Sequence, residues 1–159
     1  FAMNGALTIG TLDGANVEIR EHVGAANFFL FGKTTEELAE LHDRGYRPWE
    51  LVNDIAELPE VLRLVEQGHF SSGDTDLFRP LLQNLTGRDP FYVLTDFEAY
   101  LKAQAAVSQA WGDPDGWNRM ALLNVARSGY FSSDRSVGEY AAGIWKAEPF
   151  PVTISCELD

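Results

Sequence analysis

Four consecutive apolar residues, Phe28-Phe29-Leu30-Phe31, constrain the fold of this chain more than any other feature. Side chains alternate between two faces along a strand, so an unbroken apolar run describes a strand covered on both sides. Strands of that kind occur in parallel sheets with helices packed on each face. The text before the run fits this. Leu7-Thr8-Ile9-Gly10-Thr11-Leu12 is a short β-leaning segment punctuated by Asp13-Gly14. Ala15 to Val23 then follows with helical spacing and stops at Gly24. Strand, glycine turn, helix and strand together make one βαβ unit. Two strands are not a stable sheet by themselves. No further strand of this type is visible downstream, so the missing partners are expected upstream of Phe1.

After residue 32 the signals turn almost wholly helical. Thr34 with Glu37 forms a capping box ahead of Leu38 and Leu41, and Gly45 ends that helix. Pro48 and Pro59 each stand where a first-turn proline belongs. Thr95 with Glu98 reads as a second capping box, opening a helix through Leu101 and Val107 to Trp111. Asp113-Pro114 opens the next, which carries Trp117, Met120, Leu123 and Val125 toward Gly129. Ser133 is expected to cap the last, with Val137, Tyr140, Ala141, Ile144 and Trp145 on one face. Pro149 disfavours helix at Glu148, so that helix should stop near Trp145 to Ala147. Pro149, Pro151 and the run Val152 to Cys156 have no helical period and are expected to dock elsewhere without forming one. The fold class is therefore α/β. Residues 1–32 form a βαβ stub, and 33–159 form a remainder of six helices that belongs to the same domain.

Composition narrows the function classes. The 159 residues carry 24 acidic and 12 basic side chains, a net charge of −12, with the acids spread along the chain. A surface that tracks phosphates needs clustered Lys and Arg, so nucleic-acid binding is not expected. No apolar run approaches the roughly 18–20 residues of a membrane helix. Cys156 is the single cysteine, which leaves no internal disulfide framework. His22, His42 and His69 have no Cys or His partner at metal-ligand spacing, so no zinc site is expected.

Residues 1–18, Phe1-Ala2-Met3-Asn4-Gly5-Ala6-Leu7-Thr8-Ile9-Gly10-Thr11-Leu12-Asp13-Gly14-Ala15-Asn16-Val17-Glu18, closely resemble the stretch that directly follows the cofactor lysine of α-glucan phosphorylases. That family's signature runs through a glycine-rich loop, a Met-Lys pair, two variable residues, Leu or Met, then Asn. Phe1-Ala2 match the variable pair, and Met3-Asn4 close the pattern. The resemblance continues through Asn27 to Gly32, Arg44-Gly45-Tyr46, Asp76-Leu77-Phe78, Asp96 with Tyr100, and Ser132-Ser133-Asp134-Arg135, to about Pro149. It implies two Rossmann-like domains facing a cleft, as in GT-B-like glycosyltransferases, with this chain as the carboxyl-terminal part of the second. It also implies a reaction. Inorganic phosphate cleaves the terminal α-1,4 bond of a glucan such as glycogen or starch, releasing glucose 1-phosphate, and the 5′-phosphate of pyridoxal phosphate assists proton transfer. The implied parent is a cytoplasmic or plastid homodimer.

By the same resemblance, the cofactor lysine, the glycine-rich loop and the basic phosphate-binding residues all lie before Phe1. No catalytic, cofactor-binding or metal-binding residue is therefore assigned to this chain, and none of its lysines (Lys33, Lys102, Lys146) stands in a glycine-rich context. The best remaining candidate is the loop of Gly10, Thr11, Asp13, Gly14 and Asn16. It follows a strand and opens a helix, the place where α/β sheets hold phosphates. One reading makes Asp13 a helix cap with glycines permitting a tight turn. The other places the loop behind the residues that line the cofactor cleft. Trp111, Trp117 and Trp145, with Tyr130 and Tyr140, are expected to fill the space between helices rather than stack on sugar. An alternative for the whole chain is a stand-alone, non-catalytic binding or regulatory module related to phosphorylases.

Overall fold

A computed structural model describes residues 1–148 and Phe150, so the expectations for Pro149 and for 151–159 lie outside the described residues. Strand β1 (Thr8–Gly10) leads through a glycine turn into helix α1 (Ala15–Val23), which returns to strand β2 (Phe28–Leu30). The strands pair in parallel, Thr8 opposite Phe28, Ile9 opposite Phe29 and Gly10 opposite Leu30. This is the βαβ unit expected, and among the described residues it is the entire sheet. Phe28 is buried, while Leu30 at the far end of β2 remains 40% exposed. Phe29 and Phe31 are half-buried, so within the apolar run Leu30 alone is open.

The helices follow as α2 (Thr35–Asp43), α3 (Pro48–Asp54), α4 (Leu58–Glu66), α5 (Arg79–Gly87), α6 (Phe97–Trp111), α7 (Pro114–Arg127) and α8 (Ser133–Tyr140). The first capping box forms as expected. Thr34 Oγ1 accepts the Glu37 N–H at 3.3 Å, and Glu37 accepts the Thr34 N–H at 2.7 Å. Pro48 and Pro59 both sit in first turns, and Asp113 accepts the Gly116 N–H at 3.1 Å. Helix α5 adds a seventh to the six expected. Leu77, Phe78, Leu81, Leu82 and Leu85 have helical spacing there, a signal that the sequence reading passed over.

Three expected caps do not form. Thr95 and Glu98 make no capping box, because Thr95 lies inside a 3-10 turn (Val93–Asp96) and its hydroxyl donates to the Tyr92 carbonyl at 2.7 Å. Ser133 is the first residue of α8, not its cap, and Ser132 holds the cap position without a side-chain bond. Asp13 does not cap α1: Gly14 occupies that position, and the Asp13 carboxylate is engaged with Thr11. After α8 the chain widens into a π turn (Ala141–Trp145) and stops at Lys146, which has φ of +55°. That is where the proline was expected to end the helix.

The principal core gathers Ile55, Leu58 and Leu94, with Leu51, Val52, Leu62, Leu85 and Phe97 packed around them. It lies among α3, α4, α5 and the 3-10 turn, away from the sheet. A separate set of contacts fixes the βαβ unit against α7. Asn124 Nδ2 donates to the Ala6 carbonyl at 2.6 Å, and Arg127 donates to the Val23 carbonyl, also at 2.6 Å. Val23 is fully buried at this seam. The aromatic expectation fails here. Trp111 is 66% exposed, and Trp145, Tyr140 and Tyr130 are exposed as well. Trp117 is half-buried and meets Trp111 edge-on at 5.0 Å and Phe29 at 6.5 Å. Helical spacing put Trp111, Tyr140 and Trp145 on faces that the described residues leave largely open.

Asp89 ties the turn after α2 to the core. It is buried, accepts the Val93 and Leu94 N–H groups at 2.9 Å each, and accepts the Tyr46 hydroxyl at 2.8 Å. Burial, reinforced by that carboxylate, pushes the Tyr46 hydroxyl well above its ordinary value of 10.0. The unfolded chain loses this proton at about pH 10 while the folded chain keeps it, so stability falls as pH rises beyond that point. Tyr46→Phe is expected to cost about 1–3 kcal/mol at neutral pH, because buried Asp89 loses a donor. Its deficit relative to the wild type should shrink between about pH 9 and 11, as read from urea midpoints.

Candidate functional site

In open parallel sheets, ligands bind beyond the carboxyl ends of the strands. Here two loops meet at that edge, Thr11 to Gly14 after β1 and Phe31 to Thr34 after β2. The first is built around a missing Cβ. Gly10 is buried, and a Cβ on it would stand 2.6 Å from Asn16 Nδ2. Asn16 can therefore fold back across Gly10 and donate to the Thr11 carbonyl at 3.0 Å. Thr11 Oγ1 in turn donates to Asp13 Oδ2 at 3.0 Å. Gly14, at φ +48° and ψ −136°, supplies a backbone shape that side chains disfavour.

From Thr11 to Ala15 no backbone N–H has an acceptor among the described residues, whereas the next two close the turn. Asn16 N–H donates to the Asp13 carbonyl at 3.1 Å and Val17 N–H to the Gly14 carbonyl at 3.3 Å. A phosphate cradle needs such groups free and aimed outward. The loop's shape is held by the Thr11 and Asn16 side-chain bonds, with Asp13, Gly14 and Ala15 exposed at the tip. Of the sequence-predicted residues, Gly10, Thr11, Asp13, Gly14 and Asn16 are brought together as one hydrogen-bonded unit. The tight-turn half of the first reading holds, and its capping half does not.

Two residues that the sequence marked only as points of family resemblance, not as part of the candidate site, belong to the same edge. Gly32 has φ of +85°, and a Cβ there would meet Thr11 Cγ2 at 2.7 Å and Asp96 Oδ2 at 2.8 Å. Asp96 Oδ1 accepts the Lys33 N–H at 3.0 Å. A glycine closing an apolar strand is a signal for such a close approach. Asp96 gives no local signal, because its partner is 63 positions away in the chain.

Lys33 also lines a cavity of about 500 Å³ with Arg44, Arg47, Glu50, Asp54 and Glu98 among its walls. Three cations face three carboxylates, and Arg47 pairs with Glu50 at 3.2 Å. The cavity has no net charge to select an anion. Among the described residues no group of His, Cys, Asp and Glu is placed to hold a metal. His22 stacks on Tyr130 at 3.7 Å, His42 Nδ1 meets the Tyr92 hydroxyl at 3.0 Å, and His69 contacts Phe70 edge-on. Arg135 lies 3.9 Å above the Tyr130 ring and pairs with Glu139 at 2.6 Å, which accounts for it as packing. No described helix is long and apolar enough to cross a membrane.

Pyridoxal phosphate, implied by the resemblance, is held through an amine in a desolvated setting. Lys102 and Lys146 are exposed, and Lys33 opens on the mixed-charge cavity. The lysines of this chain do not fit that role.

A βαβ unit whose strands end in an ordered glycine loop places the chain in the α/β class. Comparison with known proteins narrows this. The family model for carbohydrate phosphorylase matches residues 1–147. A glycogen phosphorylase of Synechocystis sp. is 56% identical over 154 residues, covering 97% of this chain and 18% of the relative. The liver-form glycogen phosphorylase of Bos taurus is 46% identical over 159 residues, 100% of this chain and 19% of the relative. A glycogen phosphorylase of Chlamydia pneumoniae is 45% identical over 146 residues, 91% and 18% respectively. The chain belongs to the carbohydrate phosphorylase family. It spans about a fifth of the length of these curated relatives.

The loop geometry makes a direct prediction. Gly10 does not have positive φ, so Gly10→Ala is penalised by the Asn16 amide alone. It should lower stability by about 1–3 kcal/mol. Asn16→Ala removes the obstacle, so the double variant should be more stable than the sum of the single changes by at least about 0.5 kcal/mol. Additive losses in a double-mutant cycle would show that the two groups are not in contact.

Proposed function

We propose that this chain is the carboxyl-terminal part of the second Rossmann-like domain of an α-1,4-glucan phosphorylase with two such domains. The family match over residues 1–147, at up to 56% identity to a glycogen phosphorylase, carries the reading. The parent would use inorganic phosphate to break the terminal glycosidic bond of glycogen, starch or maltodextrin. The C1–O4 bond breaks, C1 gains the phosphate oxygen, O4 takes a proton, and glucose 1-phosphate leaves. Pyridoxal phosphate would supply a phosphate group beside the substrate phosphate. It would be held by residues outside this chain, with the lysine immediately before Phe1.

Within this reading the chain works as scaffold. Its strands would extend a sheet begun upstream. The Gly10–Asn16 loop, at the carboxyl edge, would back the groups that face the cleft. Rigidity is the useful property, since a loop held by its own side chains, Thr11 on Asp13 and Asn16 on Thr11, transmits its shape to whatever packs on its tip.

Asp13 separates scaffold from cleft. Its carboxylate caps nothing and bonds only Thr11 among the described residues, so Asp13→Ala should change stability by no more than about 1 kcal/mol. In the complete protein it should lower glucose 1-phosphate release per folded molecule several-fold. Unchanged turnover with a matching fall in thermal midpoint would remove the loop from the cleft. A complete protein that releases no glucose 1-phosphate from glycogen, starch or maltodextrin would overturn the proposed reaction.

A further inference from the structure

Asp96 occupies the cap position of α6, yet its side chain makes no capping bond. It reaches instead across the fold to the turn after β2, where Oδ1 accepts the Lys33 N–H at 3.0 Å. The Thr95 hydroxyl approaches the same oxygen at 3.4 Å. The other oxygen and the methyl group of Thr11 converge on the side of Gly32 where a Cβ would stand, 2.8 Å and 2.7 Å from that position. Thr11 is the residue whose carbonyl holds Asn16 and whose hydroxyl holds Asp13. One carboxylate, one glycine and one methyl thus form a contiguous cluster from α6 to the loop after β1.

The far end of that cluster is fixed. Asp96 closes the 3-10 turn whose Leu94 is buried in the principal core, and Asp89 holds the amides of Val93 and Leu94. The near end has no such support, since Asp13 and Gly14 stand exposed. A bond from a backbone N–H to a carboxylate is roughly twice as strong as a neutral one. The positive φ of Gly32 keeps the turn narrow enough for both contacts.

We propose that Asp96 is a positioning residue for the Gly10–Asn16 loop, acting through Gly32 and Thr11. Its consequence for turnover rests on the reading of that loop as the backing of the reaction cleft. Removing the carboxylate releases the Lys33 N–H and leaves Gly32 without a wall. Thr11 then loses the surface that fixes its methyl group, and the hydrogen bonds to Asp13 and Asn16 loosen with it.

The test uses the complete protein, with Asp96→Ala and Asp96→Asn compared by hydrogen–deuterium exchange and steady-state phosphorolysis. In Asp96→Ala, exchange in residues 10–16 should quicken about tenfold, the order expected when one charge-assisted bond is lost, while exchange in α7 stays unchanged. Its kcat should fall with the KM for glucan unaltered. Asparagine keeps an acceptor oxygen, so Asp96→Asn should recover part of both losses. Loop exchange at the wild-type rate in Asp96→Ala, or uniform quickening across the chain, would overturn the positioning role. Quickened loop exchange with unchanged kcat would leave the coupling standing and overturn the cleft role of the loop. If Asp96→Ala does not accumulate as folded protein, Thr11→Ser trims the methyl beside Gly32 and leaves Asp96 intact. Loop exchange must quicken there too, and a wild-type rate would refute the cluster.

Discussion

A parallel pair of three-residue strands has little to hold it except what packs around it. In this chain β1 and β2 depend on supports that reach in from distant sequence. Asn124 and Arg127 of α7 take the carbonyls of Ala6, just before β1, and Val23, at the end of α1. Asp96 takes the Lys33 N–H at the carboxyl end of β2. The principal core around Ile55, Leu58 and Leu94 lies elsewhere, so these polar contacts carry the register between sheet and helices. Asn124 shows the cost. It is fully buried, and its Oδ1 has no partner among the described residues. A buried acceptor in that state is expensive, and it persists because the amide side of the same group anchors the loop before β1.

Much of the fold was legible because its signals were local. The βαβ unit followed from the run Phe28 to Phe31, from Gly14 and Gly24, and from helical spacing between them. The capping box at Thr34 and Glu37 and the prolines at 48 and 59 each needed only residues within one turn. Two of the failures share one cause. Thr95 and Glu98 have capping-box spacing, but Asp89 captures the Val93 and Leu94 amides and draws the preceding residues into a 3-10 turn. Asp13 looks like a cap, but Thr11 claims its carboxylate. In each case a competing partner decided the outcome.

The candidate site divides in the same way. The loop from Gly10 to Asn16 could be found from its position between strand and helix. Gly32 carried only the local signal of a glycine closing an apolar strand, and Asp96 carried none, since its importance comes from a contact that joins segments far apart in the chain. The exposed aromatics tell a related story. Val137, Tyr140, Ile144 and Trp145 line α8 and the turn beyond it, and Ile144 is 68% exposed. Helical period showed which residues share a face. It could not show that nothing among the described residues covers that face.

These features agree with a family member that spans a fifth of its relatives' length and that, as proposed, relies on the rest of a longer polypeptide for both its sheet and its chemistry. Full burial of an apolar side chain such as Leu30 stabilises by about 1.5–3 kcal/mol, against a typical domain stability of about 5–15 kcal/mol. An unpaired strand edge also invites association with other chains. The most direct measurement is sedimentation velocity on purified residues 1–159, combined with hydrophobic-dye binding and thermal unfolding. The account predicts aggregation or strong dye binding, with no sharp transition. A monodisperse monomer that binds no dye and unfolds in one cooperative step would contradict it.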